Sequence, residues 1–109
     1  MTATTTYLLL VRVDEELAAA HTHDTDPEPW IAAAGTRRLE GHQLRGPDDA
    51  TLVREAGTMV TDGPFAETKE EIAGYDVIDW DGDLVGLAEL AARHPVARFG
   101  AIEIRPIEA

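Results

Sequence analysis

Thr6-Tyr7-Leu8-Leu9-Leu10-Val11-Arg12-Val13 is a strand-length run that is apolar on both of its faces. Period-two alternation puts Tyr7, Leu9, Val11 and Val13 on one side and Leu8 and Leu10 on the other. Apolar surface on both sides of a strand demands a cover on both sides. The chain has 109 residues, enough for one modest core and too few for two, so a single domain over 1–109 is expected. One cover then comes from the chain's own helices and the other from a second copy. A homodimer is the expectation.

The rest of the chain supplies the elements. Glu15 to Ala20 holds a turn or two of helix before Pro27 and Pro29 break the pattern. A second short helix starts near Pro29, with Trp30, Ile31 and Ala34 inward and Gly35 as its stop. Arg38 to Leu44 reads as a strand and Gly46-Pro47-Asp48-Asp49 as a turn. Thr51 to Arg54 and Thr58 to Thr61 read as two strands around a turn at Glu55-Ala56-Gly57. Asp62-Gly63-Pro64-Phe65 is a tight connection, and Thr68-Lys69-Glu70-Glu71 fits a helical capping box whose element ends at Gly74. Tyr75 to Trp80 is a further strand, with Tyr75 and Val77 facing one way and Ile78 and Trp80 the other. Leu84 to Arg93 is the clearest helix: Leu84, Leu87, Ala88 and Ala91 form a stripe that Leu90 widens. Asp81 or Asp83 caps it, and Pro95 ends it after His94. Ala101 to Ile107 sets Ile102 and Ile104 against Glu103 and Arg105, a half-buried closing strand. This order makes an α+β fold of the ferredoxin-like kind, an antiparallel sheet with both helices on one face.

Charge and composition narrow the partners. Twenty-one acidic residues against nine basic ones give a formal charge of -12, which repels phosphate backbones and anionic membranes. Nucleic acid and membrane are therefore not expected as partners, whereas the acidic surface serves solubility and leaves room for a basic protein partner. The absence of cysteine rules out disulfides, thiolate metal sites and a cysteine nucleophile. The start, Met-Thr-Ala-Thr-Thr-Thr, lacks the basic residues of a secretory signal, and no apolar run approaches the length of a membrane span, so a cytoplasmic location is expected.

The stretch Val60-Thr61-Asp62-Gly63-Pro64-Phe65-Ala66-Glu67-Thr68-Lys69-Glu70, followed by Gly74-Tyr75, closely resembles the signature of DGPF-domain proteins, a branch of the YCII-related family. The likeness extends to Tyr7-Leu8-Leu9-Leu10, Gly41-His42-Gln43-Leu44, Ala91-Ala92-Arg93-His94-Pro95 and Gly100-Ala101-Ile102-Glu103-Ile104-Arg105-Pro106. It implies a ferredoxin-like dimeric α+β barrel. It also implies lyase- or dehydrochlorinase-like activity among relatives of the other branch, and association of DGPF proteins with extracytoplasmic-function sigma factors. That other branch uses a His on the first helix with an Asp just before the Pro that follows the last helix. Here His94 precedes Pro95, and His21 and His23 fall in an irregular segment, so the dyad does not carry over. The Asp14 to Gly35 region is also shorter and more proline-broken than a long first helix.

Asp62 stands at a strand end entering a Gly-Pro turn, where a carboxylate serves either as a general base in a cleft or as a cap for the amides of residues 64 to 66. Glu67 and Lys69 either orient a substrate, with Lys69 on an anionic group, or are surface charges. His42, on a strand, is a proton-transfer candidate or a half-exposed packing residue. Arg54 would neutralise a ligand carboxylate or pair across strands. His21-Thr22-His23-Asp24-Thr25-Asp26 has metal-ligand chemistry but no rigid framework, and no phosphate loop or nucleophile motif is present, so no metal and no cofactor is expected. Two functions follow. One is a dimeric small-molecule-binding protein, a cofactor-independent proton-transfer enzyme of lyase type with its cleft at the Asp62 turn. The alternative is an accessory module that docks a basic protein such as a sigma factor.

Overall fold

The computed structural model describes residues 3–20, 26–57, 59–62 and 70–108. Strand β1 (Thr5–Asp14) runs into helix α1 (Glu15–Ala20), followed by helix α2 (Glu28–Ala34) and strand β2 (Arg38–Gln43). Strands β3 (Thr51–Arg54) and β4 (Met59–Asp62) come next, then the long strand β5 (Glu70–Trp80), helix α3 (Leu84–Ala91) and strand β6 (Ala101–Pro106). The main sheet has the order β2-β5-β1-β6 with every neighbouring pair antiparallel. With β3 and β4 set aside, its first, second, third and fourth strands lie in the order 4-1-3-2. That is the ferredoxin-like topology, and the α+β expectation holds.

β1 takes the centre because its middle, Tyr7 to Val11, is apolar on both faces. Leu9, Val11 and Val13 are buried under the helices, while Leu8 and Leu10 on the opposite face are half-buried. Leu9 pairs with Asp76 on one side and Ile104 on the other, and a bulge at Val11/Arg12 shifts the register against β5. The core gathers Leu9, Trp30, Ala34, Ile78, Leu87, Leu90 and Ala91, the inward residues of the two middle strands, α2 and α3. α2 forms where expected and stops at Gly35, whose φ of 58° is the left-handed backbone that glycine adopts without strain. α3 is capped by the Asp83 carboxylate, which accepts the Gly86 N–H at 2.8 Å.

Two sequence expectations are corrected. The capping box does not open a helix: Glu70 and Glu71 begin β5, which passes straight through Gly74 to Trp80 and pairs with β1 over its whole length. The local helical signal loses to pairing with all ten residues of β1. The buried side of α3 is also rotated. Leu87, Leu90 and Ala91 face the core, whereas Leu84 and Ala88 are exposed, because Ala88 lies ~100° around the helix from Leu87.

β3 and β4 make a separate two-stranded sheet in register from Thr51–Asp62 to Arg54–Met59. Its turn puts Glu55 and Ala56 at φ 51° and 53°, the left-handed values of a tight hairpin turn. Among the described residues no helix is long and apolar enough to cross a membrane.

Candidate functional site

The alternation that buries Ile78 also turns Asp76 toward the helices, so β5 carries a carboxylate into an apolar layer. Asp76 is 4% exposed. A buried carboxylate needs a counter-charge, and Arg38, at the start of the neighbouring strand β2, supplies it. The Arg38 Nε donates to Asp76 Oδ1 at 2.6 Å. Gly41 explains why the pair fits: a Cβ there would collide with both the Arg38 guanidinium and the Asp76 carboxylate. The ion pair lies across a bare stretch of backbone that only glycine leaves open.

His94 completes the group. It sits after α3, held by the turn Pro95–Arg98, and its Nδ1 accepts the Val96 N–H at 3.1 Å. Its ring lies 5.3 Å from that of Trp30 on α2. Burial pushes the His94 imidazole below its ordinary pKa; the Asp76 carboxylate opposes that shift and the Arg38 guanidinium adds to it. Trp30 is itself 1% exposed, and its Nε1 has no hydrogen-bond partner among the described residues. These side chains border a cavity of about 490 Å³ whose apolar wall includes Val11, Val13, Ile31 and Phe99. An apolar hollow with a few converging polar groups is how small-molecule sites are built.

The residues singled out from sequence are distributed differently. His42 borders the cavity, but β-alternation sets its side chain on the face opposite Gly41 and Asp76. There its ring lies 5.6 Å from Tyr75 and its Nε2 is 3.4 Å from Glu40 Oε2. Asp62 closes β4 opposite Thr51 on the separate hairpin. Arg54 is on the same hairpin, opposite Met59. Glu67 and Lys69 lie outside the described residues, as do Gly63 to Phe65 and His21 to Thr25. Sequence reasoning missed Asp76, Arg38, Trp30 and His94 as site residues; His94 enters it only as the residue before Pro95. One signal was available: within Tyr75–Trp80, Asp76 is the one acid on the side of Ile78 and Trp80, a carboxylate where the pattern demands an apolar residue.

The sequence profile of the YCII-related domain matches residues 12–109. The chain belongs to the YCII-related family. An uncharacterized protein of Rhizobium meliloti (strain 1021) is similar to this YCII-related chain. The two are 33% identical over 115 residues, covering 93% of this chain and 90% of the relative. The matched span of the YCII-related domain takes in Arg38, Asp76 and His94 together.

Proposed function

We propose that this YCII-related protein binds a small, largely apolar organic molecule in the Asp76 cavity and catalyses proton transfer on it without a cofactor. The observation that carries this reading is the buried Arg38–Asp76 pair beside His94 at the wall of a 490 Å³ hollow. Ionised and titratable groups are costly to bury, and such groups in a cleft are the usual equipment of a binding or acid–base site. The motif at residues 60–70 supports placing the chain in the DGPF branch, and keeps Asp62 as a second position to probe.

A homodimer belongs to the same proposal. The sheet face turned away from the core is apolar at its centre, with Leu8, Leu10, Tyr75 and Val77 half-buried and, among the described residues, no helix of the hydrophobic core cluster on that side. Polar side-chain contacts rim it: Arg12 with Glu103 at 3.3 Å and His42 with Glu40 at 3.4 Å. A second copy laid on this face would pair sheet against sheet.

The test is a ligand screen by thermal shift over small ketones, lactones and organic acids, run on the wild type, His94→Asn and Asp62→Asn. A hit at about 100 times its dissociation constant stabilises by about 2.7 kcal/mol, a shift of several degrees for a chain of this size. Hits are then incubated in D2O and followed by proton NMR. Deuterium entering the ligand only with active protein supports proton transfer. Binding without exchange leaves a binding module, and loss of the hit in Asp62→Asn alone moves the site to the hairpin turn.

A further inference from the structure

The hydrogen bond from Val96 N–H engages one of the two His94 ring nitrogens and leaves the other free to meet a ligand. Nδ1 holds its lone pair toward that donor, so the neutral ring carries its proton on Nε2, at the far edge from the backbone. To take a proton, His94 would have to accept it on Nδ1 and break its cap on the turn. In this arrangement His94 donates a hydrogen bond and does not act as the base.

Two of its neighbours, Arg38 and Trp30, share that bias, while the Asp76 carboxylate accepts from Arg38. Arg38 has only donors, and the Trp30 N–H is a buried donor with no acceptor among the described residues. The charges of Arg38 and Asp76 cancel, which leaves the wall electrically neutral while it offers N–H groups. The chain as a whole carries a formal charge of -12, which disfavours multiply charged anions. A neutral acceptor oxygen on an apolar body fits these conditions better than a carboxylate or a phosphate.

We propose that the cavity recognises an uncharged carbonyl compound, its oxygen accepting from His94 Nε2–H and its apolar body resting against Val11, Val13 and Phe99. This names the ligand class of the site proposed above and rests on that reading.

Four probes sharing a phenyl body separate the possibilities: acetophenone, benzoate, phenyl phosphate and ethylbenzene. Each is titrated at pH 8 into protein labelled with nitrogen-15, and the Trp30 indole and His94 ring signals are followed. Acetophenone is expected to bind most tightly. The His94→Asn variant keeps an acceptor for the Val96 N–H, but its shorter amide does not reach the position of the ring Nε2–H, and its affinity for acetophenone should fall by about tenfold, as for one lost hydrogen bond. The ring nitrogen shifts of the wild type should report the Nε2–H form. A ring protonated on Nδ1 would overturn the proposal, and so would benzoate, phenyl phosphate or ethylbenzene binding as tightly as acetophenone. In those cases the cavity remains a small-molecule site. If no probe moves the Trp30 or His94 signals, the small-molecule reading falls along with the carbonyl assignment.

Discussion

The Arg38–Asp76 pair makes a prediction with an unusual ordering. Replacing Arg38 by Met leaves a carboxylate whose side chain is 6% exposed with no counter-charge. Stranding one member of a buried pair costs about 3–5 kcal/mol. Replacing Asp76 by Asn strands a guanidinium instead, but the Arg38 side chain is 23% exposed and has a path to water. Its cost should be nearer 2 kcal/mol, as for a lost charged hydrogen bond. The double variant Arg38→Met with Asp76→Leu removes both charges and should come within about 1 kcal/mol of the wild type. At about 4 °C per kcal/mol for a domain of this size, Arg38→Met melts about 12–20 °C lower and Asp76→Asn about 8 °C lower. Urea titrations followed by far-ultraviolet circular dichroism at pH 7 measure all three, with thermal melts as the cross-check. Single variants that each cost under about 1 kcal/mol and simply add in the double variant would refute the argument. The pair would then be a surface interaction and not a unit of the buried wall.

Three further outcomes follow from the same geometry. Because the folded His94 has a lowered pKa, its contribution to stability is complete above the unfolded value of 6.5 and is lost as pH falls from there toward the folded pKa. The stability difference between wild type and His94→Asn should therefore drift against the wild type only below about pH 6.5, a trend that urea titrations from pH 8 to pH 5 would reveal. Gly41→Ala places a methyl group against Arg38 and Asp76, and should cost at least about 2 kcal/mol while leaving the β-sheet circular dichroism signal in place. Leu8→Glu, on the outer face, should convert a dimer to monomers in sedimentation velocity while melting cooperatively; an unchanged sedimentation coefficient would exclude that face as the interface.

The fold was legible wherever local chemistry and tertiary context agree. Alternation in β1 named its buried and half-buried residues, and Trp30, Ala34 and Gly35 marked the face and end of α2. It was misleading at Glu70-Glu71-Ile72-Ala73, whose composition suits a helix and whose fate is decided by pairing with β1 far away in sequence. The site was illegible for a related reason. Arg38 and Asp76 are 38 positions apart and meet only because β2 is laid beside β5. No spacing rule reaches across such a distance. What did lie in the text was the mismatch of Asp76 with its apolar face, and the glycine at 41 that makes room for the pair.

The central position of β1 has a consequence for how the molecule is made. Its partners are both late in the chain, β5 beginning at Glu70 and β6 at Ala101, so Leu9 waits for Ile104. At ribosomal speeds of roughly 5–20 residues per second, the apolar first strand spends roughly 5–20 s in being without its last neighbour. Throughout that interval a Tyr-Leu-Leu-Leu-Val edge is open to any other nascent strand. Chains cut short before β6 keep that edge for good, and loss of the last few residues should therefore show first as aggregation.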